Sequence, residues 1–250
     1  MENKISTGSA IMDWLLEGGY EKDVITTIYG PAGSGKSNMC LLCVANSVKN
    51  KKTIYIDTEG SFSITRFKQL TDDYEEILKR VIFLKPTNFE EQKNCFEQLK
   101  DIVDDKVGLI IFDSVAMLYR LEIGKSKDVY NVNRELGLQL SYLTEIARKK
   151  NIPIVITNQV YSDFDNKDKV HLVGGDILRY QSKCLIELQR VENYRRAVLR
   201  KHRSLPDGKQ VFFRIIDSGI IEVEMQNIED NDMSNNKNLS ERKIKNHKEN

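Results

Sequence analysis

Residues Gly30-Pro31-Ala32-Gly33-Ser34-Gly35-Lys36-Ser37 spell G-x4-G-K-S directly after the β-branched run Val24-Ile25-Thr26-Thr27-Ile28-Tyr29. No other stretch restricts the fold as much. Such a loop works where a strand delivers the chain to the foot of a helix. The glycines let the backbone curl until successive N–H groups point inward, and the helix that follows, expected from Lys36 to about Val48, adds the positive end of its dipole. The guest such a nest suits is a polyphosphate. Gly30 through Ser37, with Asn38 behind them, are therefore the candidate nucleotide contacts. Lys36 is expected to reach the β- and γ-phosphates, while the Ser37 hydroxyl ligates a magnesium ion between them. ATP and Mg2+ are the cofactors this pattern predicts.

Around the loop, strands and helices alternate. Ile5 to Ser9 precede a short capped helix carrying Met12, Leu15 and Leu16, which Gly18-Gly19 closes. Thr53-Ile54-Tyr55-Ile56-Asp57 reads as a strand that turns at Thr58-Glu59-Gly60-Ser61-Phe62, and Val81 to Leu84 as a third strand. Phe96, Leu99 and Val103 then mark one face of a helix. Leu109-Ile110-Ile111-Phe112 is apolar throughout, as in a central parallel strand covered on both faces, and ends in Asp113-Ser114. Downstream of an intact phosphate loop, that aspartate is the expected second holder of magnesium. Leu136, Leu140, Leu143 and Ala147 give a long amphipathic helix, after which Ile152 to Thr157 returns as a strand ending in Asn158-Gln159. Polar residues at strand ends follow the rule that open α/β sheets bind ligands beyond the carboxyl ends.

Val160 to Gly175 is polar with little periodicity and reads as a mobile loop. Cys184 to Leu188, Ala197 to Leu199 and Val211 to Ile216 read as short strands, one connection carrying the turn Pro206-Asp207-Gly208. The expected fold is α/β: a mostly parallel central sheet flanked by helices, with antiparallel strands at the C-terminal end. The core is expected over residues 1–225, with a polar, disordered tail over 226–250.

Composition narrows the rest. With 30% charged residues and no apolar run near membrane length, the chain is expected to be soluble and cytoplasmic. Its formal net charge of +1 provides no long-range field toward a polyanion, so any nucleic-acid site must be a local patch. Cys40 and Cys43 share a helix face and have no second C-x2-C pair, so they read as small buried hydrophobes rather than half a zinc site.

The succession of Ile5 to Ser9, the phosphate loop, Asp57 to Gly60, Leu109 to Ser114, Ile156 to Val160 and Gly174-Gly175-Asp176-Ile177-Leu178 resembles the RecA/RadA recombinases. The resemblance spans nearly everything but the tail. It is strongest to the short archaeal paralogues of RadA, which start at the ATPase core, and it includes Lys201-His202-Arg203-Ser204-Leu205-Pro206. It implies a RecA-type P-loop ATPase core. It implies further that Glu59 is the general base acting on water in line with the γ-phosphate, that Gln159 senses that phosphate, and that Arg66 stacks on adenine. Only four residues precede Ile5, so the sequence carries neither the helix-hairpin-helix domain nor the Phe-x-x-Ala strand that joins RadA subunits. A monomer or dimer is expected rather than a long filament.

The main reading is an ATP- and DNA-binding protein of homologous recombination and repair with slow hydrolysis. The alternative is a non-catalytic mediator that uses ATP as a conformational ligand and binds a RadA recombinase or a Holliday junction resolvase. A RecA-fold signalling ATPase is a more distant third. By resemblance, two loops face DNA, near Arg120 to Arg134 and Val160 to Gly175. Lys125 and Lys127 fall in the first, Lys167, Lys169 and His171 in the second, and Lys201 and Arg203 lie further on. Lacking a base-reading motif, these residues predict phosphate-dominated binding that prefers single strands. Tyr130, Tyr142 and Tyr161 read as packing residues rather than base stackers.

Overall fold

The computed structural model describes residues 3–47, 50–162 and 170–224, so the expected tail lies outside the described residues. In chain order these form β1 (Lys4–Ile5), α1 (Ala10–Leu15), β2 (Tyr20–Glu21), β3 (Ile25–Tyr29), α2 (Lys36–Ala45) and β4 (Lys52–Asp57). There follow α3 (Ile64–Leu70), α4 (Tyr74–Leu78), β5 (Val81–Leu84), α5 (Phe89–Ile102), β6 (Val107–Asp113), α6 (Met117–Lys125), α7 (Val129–Lys150) and β7 (Ile154–Asn158). The last are β8 (Val160–Ser162), β9 (Val170–Leu172), α8 (Gly175–Gln181), β10 (Cys184–Val191), β11 (Tyr194–Lys201), β12 (Gln210–Ile216) and β13 (Gly219–Glu222).

Nine strands make one sheet in the order β13-β12-β11-β10-β3-β7-β6-β4-β5. From β10 to β5 every neighbouring pair is parallel, and from β10 to β13 every pair is antiparallel. The β-branched β3 and the apolar runs of β6 and β7 are buried in the middle, where helices cover both faces. On one face α1 and α2 pack with Phe67 of α3 and Ile77 of α4, and Cys40, Cys43 and Cys184 fill that layer as buried thiols. On the other, α5, α6, α7 and α8 bury Phe96, Leu136, Leu140, Leu143 and Leu178 against Ile110, Phe112 and Ile154.

Local chemistry sets the ends of these helices. Ser63 Oγ accepts from the Arg66 N–H at the start of α3, Asn88 Oδ1 from Glu91 N–H at the start of α5, and Asp128 Oδ1 from Asn131 N–H at the start of α7. Helix α7 stops at Asn151, which adopts the left-handed conformation at φ 51°, after a last turn of Arg148, Lys149 and Lys150.

Two sequence expectations change. The stretch after Gln159 is not an open loop at its ends, because β8 and β9 pair antiparallel, with Val160 opposite Leu172. Alternation there is too short to be read without its partner strand. The late strands are also longer than their apolar runs, since β10 and β11 extend through Arg190 and Arg195 into a tight hairpin, and β13 adds a further edge.

Candidate nucleotide site

Parallel register brings the strand ends level. Asp57 pairs with Asp113, and Tyr29 lies between Asn158 and Glu187. Beyond this row the chain from β3 enters the phosphate loop. Gly35, at φ 105°, ends it in the left-handed conformation and opens α2. A Cβ on Gly30 would lie 2.2 Å from the Leu188 carbonyl oxygen, so only glycine lets the loop fold this closely against β10. Ser34 is fully buried, and its Oγ has no hydrogen-bond partner. A buried hydroxyl left unpaired in a G-x4-G-K-S loop is a group that a bound phosphate oxygen would satisfy.

Lys36 is turned onto its own loop, donating to the carbonyls of Gly30 at 2.9 Å and Pro31 at 3.0 Å. Burial lowers its pKa, while the carboxylates of Glu59 and Asp113 work against that shift. Ser37 follows at the first turn of α2, partly buried.

Asp113 is held from three sides. Thr157 Oγ1 donates to Oδ1 at 2.5 Å, and Ser61 Oγ at 2.6 Å and the Tyr55 hydroxyl at 3.0 Å donate to Oδ2. Asp57 serves the turn instead, accepting from the backbone N–H of Ser61 and Phe62. Next to them, Glu59 Oε1 accepts from Gln159 Nε2 at 2.9 Å and from Ser114 Oγ at 2.5 Å. Gln159 roots the β8–β9 hairpin: its carbonyl accepts from Val173 N–H, and the neighbouring Asn158 Nδ2 donates to Val173 O. Lys36, Ser37, Glu59, Asp113 and Gln159, scattered through the sequence, thus share one end of the sheet.

Arg66 lies between the first turn of α2 and the β12–β13 turn. Its Nε donates to Asn38 Oδ1 at 2.9 Å, and its terminal nitrogens donate to Gln69 and to the carbonyls of Ile216, Asp217 and Gly219 in the β12–β13 turn. All these bonds lie along the edge of the guanidinium.

The basic residues separate into groups. Helix α7 has 22 residues and β7 has 5. At ~1.5 and ~3.3 Å per residue, the helix rises about twice as far as the strand. Its start therefore stands beyond the strands' carboxyl ends, and exposed Lys125, which ends α6, and Lys127 immediately precede it. His171 lies opposite Tyr161 in the hairpin register, and Lys167 and Lys169 are outside the described residues. Lys201 and Arg203 are not brought to this end. Because β11 runs antiparallel to β10, Lys201 comes back level with Leu185, near the beginning of β10. There its Nζ donates to Arg179 O, and Arg203 contacts Asp23 at 2.9 Å and Glu21 at 2.8 Å. Tyr130 is 77% exposed, and Tyr142 packs edge-on to Phe96.

The Rad51 family model matches residues 3–223. The chain belongs to the Rad51 family. It is 46% identical to the DNA repair and recombination protein RadB of Methanobrevibacter smithii, covering 88% of this chain and 96% of that one. To the RadB protein of Methanococcus maripaludis it is 43% identical, covering 84% and 97%. A crystal structure described as the RadB recombinase superposes with a TM-score of 0.75 at 36% identity, over 88% of this chain and 99% of the other. The fold is therefore the RecA-like α/β core of Rad51-family proteins, and that family binds nucleotides. No helix among the described residues is long and apolar enough to cross a membrane.

The sequence did not point to Tyr55, Ser61, Thr157 or Ser114 as site residues. Each belongs to a stretch singled out for a neighbour, and only the strand register shows that their hydroxyls converge on Asp113 and Glu59. Arg190 and Arg195, beside the phosphate loop, carried no signal beyond charge.

Proposed function

We propose that this chain is an ATP- and DNA-binding protein of homologous recombination and repair, in which slow, Mg2+-dependent ATP hydrolysis controls its hold on DNA or on a protein partner. The observation that carries this reading is the hydrogen bond from Gln159 to Glu59. One side chain belongs to the phosphate site and the other roots the paired strands β8 and β9, so a change at the first is felt at the second.

Bound Mg2+ would supply charge neutralisation between the β- and γ-phosphate oxygens, held by Ser37 and Asp113. Lys36 leaves the carbonyls of Gly30 and Pro31 for the phosphates, and Ser34 Oγ gains the acceptor it lacks. Tyr55, Ser61 and Thr157 fix the orientation of the Asp113 carboxylate. Glu59 takes the proton from the attacking water, and Gln159, drawn toward the γ-phosphate, lets go of Glu59 and shifts the hairpin. Arg66 offers adenine the face of a guanidinium whose edge is already bonded. Lys125, Lys127, Lys167, Lys169 and His171 contact DNA phosphates with little sequence preference and a preference for single strands.

A second reading has its own support. The oxygen of Glu59 that would take the proton already accepts two hydrogen bonds, which favours a mediator that binds ATP without turning it over and acts on a recombinase such as RadA or on a Holliday junction resolvase. Calorimetry and steady-state hydrolysis, with and without single-stranded DNA, separate the two. Lys36→Ala should weaken Mg-ATP binding by about 2 to 3 kcal/mol, the loss of a charged hydrogen bond. Equal affinity in the variant and the wild type would remove the site assignment. Wild-type turnover no higher than that of Lys36→Ala would leave only the mediator.

A further inference from the structure

Where the paired residues of β4 and β6 end, at Asp57 and Asp113, the two chains stay joined through a side chain. Thr58 N–H donates to Asp113 O at 2.9 Å. The Thr58 hydroxyl then carries the pairing one residue further, since its Oγ1 accepts from Ser114 N–H at 2.9 Å and donates to Ser114 O at 2.7 Å. One hydroxyl thus satisfies both backbone groups of a fully buried residue. Val115 N–H donates to Thr157 O, which ties the same turn to β7. Ser114 therefore cannot shift without leaving buried groups unpaired. Its own hydroxyl donates to Glu59 Oε1 at 2.5 Å. Glu59 has no comparable support. It is exposed, and the next residue, Gly60, is left-handed at φ 65° with nothing within 4 Å of where a Cβ would stand. Among the described residues two hydrogen-bond donors hold its carboxylate, Ser114 Oγ and Gln159 Nε2.

We infer that the hydroxyls of Thr58 and Ser114 form a bracket that positions the Glu59 carboxylate for water activation, with Ser114 the donor that stays and Gln159 the donor that leaves. This deepens the hydrolytic reading above and rests on it. In that reading Gln159 is drawn toward the γ-phosphate, so the carboxylate loses one of its restraints as it comes to face the attacking water. Glutamate has several rotatable side-chain bonds, and an exposed one spreads over many rotamers unless a hydrogen bond selects among them. Both donors bond the same oxygen, Oε1. Departure of Gln159 frees a lone pair there for the proton, while Ser114 keeps the oxygen in place. Thr58 and Ser114 act through Glu59 and are positioning residues.

The test measures steady-state ATP turnover and calorimetric Mg-ATP affinity for wild type, Ser114→Ala, Glu59→Gln and the double variant. Ser114→Ala should lower kcat roughly tenfold or more and leave KM and Mg-ATP affinity within a few-fold of wild type, since a misplaced base costs rate and not binding. In the Glu59→Gln background the same change should cost nothing further, because its effect travels through the carboxylate. Thr58→Val should lower kcat similarly, lower the Tm of the nucleotide-free protein and open the amide of residue 114 to hydrogen exchange. Thr58→Ser, which keeps the hydroxyl, should recover most of each loss. An unchanged kcat in Ser114→Ala would overturn the inference, as would an equal further loss on top of Glu59→Gln, which would make Ser114 structural. An amide at residue 114 that stays protected in Thr58→Val would dismiss the bracket. Wild-type turnover no higher than that of Lys36→Ala would instead remove the hydrolytic reading, and this role of Ser114 with it.

Discussion

Three carboxylates, Asp57, Glu59 and Asp113, gather at the carboxyl ends of β4 and β6, and their partners give each a separate task. Asp57 accepts backbone N–H groups and shapes the turn after β4, whereas Asp113 accepts only hydroxyls. A carboxylate gives up hydroxyl hydrogen bonds to a cation more readily than it gives up a turn, so Asp113 is the one suited to Mg2+. Glu59 is bound to Gln159, which precedes β8, and to Ser114, which follows β6. Glu59→Gln keeps the size and polarity of the side chain while deleting the base. It should therefore retain Mg-ATP affinity within a few-fold and lose at least ~100-fold in turnover. A variant that hydrolyses ATP at the wild-type rate would remove Glu59 from that role. At this scale the sequence was legible wherever a function is confined to consecutive residues. Gly30 to Ser37 could be read because a phosphate nest is built from one continuous backbone. The hydroxyl cradle of Asp113 could not, because it joins Tyr55, Ser61 and Thr157 from three separate segments.

At the scale of elements, the connection from β11 to β12 shows how a polar motif can serve structure. Lys201 ties itself to the end of α8, Arg203 to Asp23 and Glu21, and Leu205 enters the core layer around α2. Between them the His202 ring is buried, and its Nδ1 accepts from the backbone N–H of Ser204 and of Leu205, both at 3.2 Å. Burial lowers the His202 pKa below the ordinary histidine value. The Glu21 carboxylate opposes this, and the charges of Lys4 and Arg203 reinforce it. A depressed folded-state pKa means that the unfolded chain takes up the proton first. The contribution is therefore complete above the unfolded histidine range near pH ~6.5 and is lost as pH falls through the folded value. His202→Asn keeps a side-chain acceptor for those N–H groups and cannot titrate. Urea unfolding at about pH 7.5 and about pH 5.5 should show a larger loss of stability for wild type than for the variant, and equal losses would dismiss the account. The motif was visible in the sequence as a run of basic residues that suggested a DNA contact. Which end of the sheet it occupies depends on β11 reversing direction, and charge alone says nothing of that. The β8–β9 hairpin was likewise hidden, because each strand has three residues and is recognised only by its partner.

For the whole molecule, the alternation of strand and helix from residue 24 to residue 158 was enough to read a parallel sheet with its ligands at the carboxyl ends. The strand order was not readable, and it places β3 between β7 and β10 rather than beside β4, its nearest parallel strand in sequence. The phosphate loop rests on that seam: Gly30 N–H donates to Asn158 O, and Gly30 packs against the backbone of Leu188. A fragment of residues 1 to about 180 contains the loop, Glu59, Asp113 and Gln159, but lacks one of the two strands that flank β3. It should be cut readily by protease and show no calorimetric ATP binding. A protease-resistant fragment that binds ATP would contradict the dependence. The same seam sets a schedule during synthesis. The loop leaves the ribosome early, yet the strand that closes it follows only after roughly ten to thirty seconds of further elongation at ~5–20 residues per second. Until then the complete G-x4-G-K-S sequence exists as unsupported chain, so on the proposed reading nucleotide binding waits until most of the protein has been made.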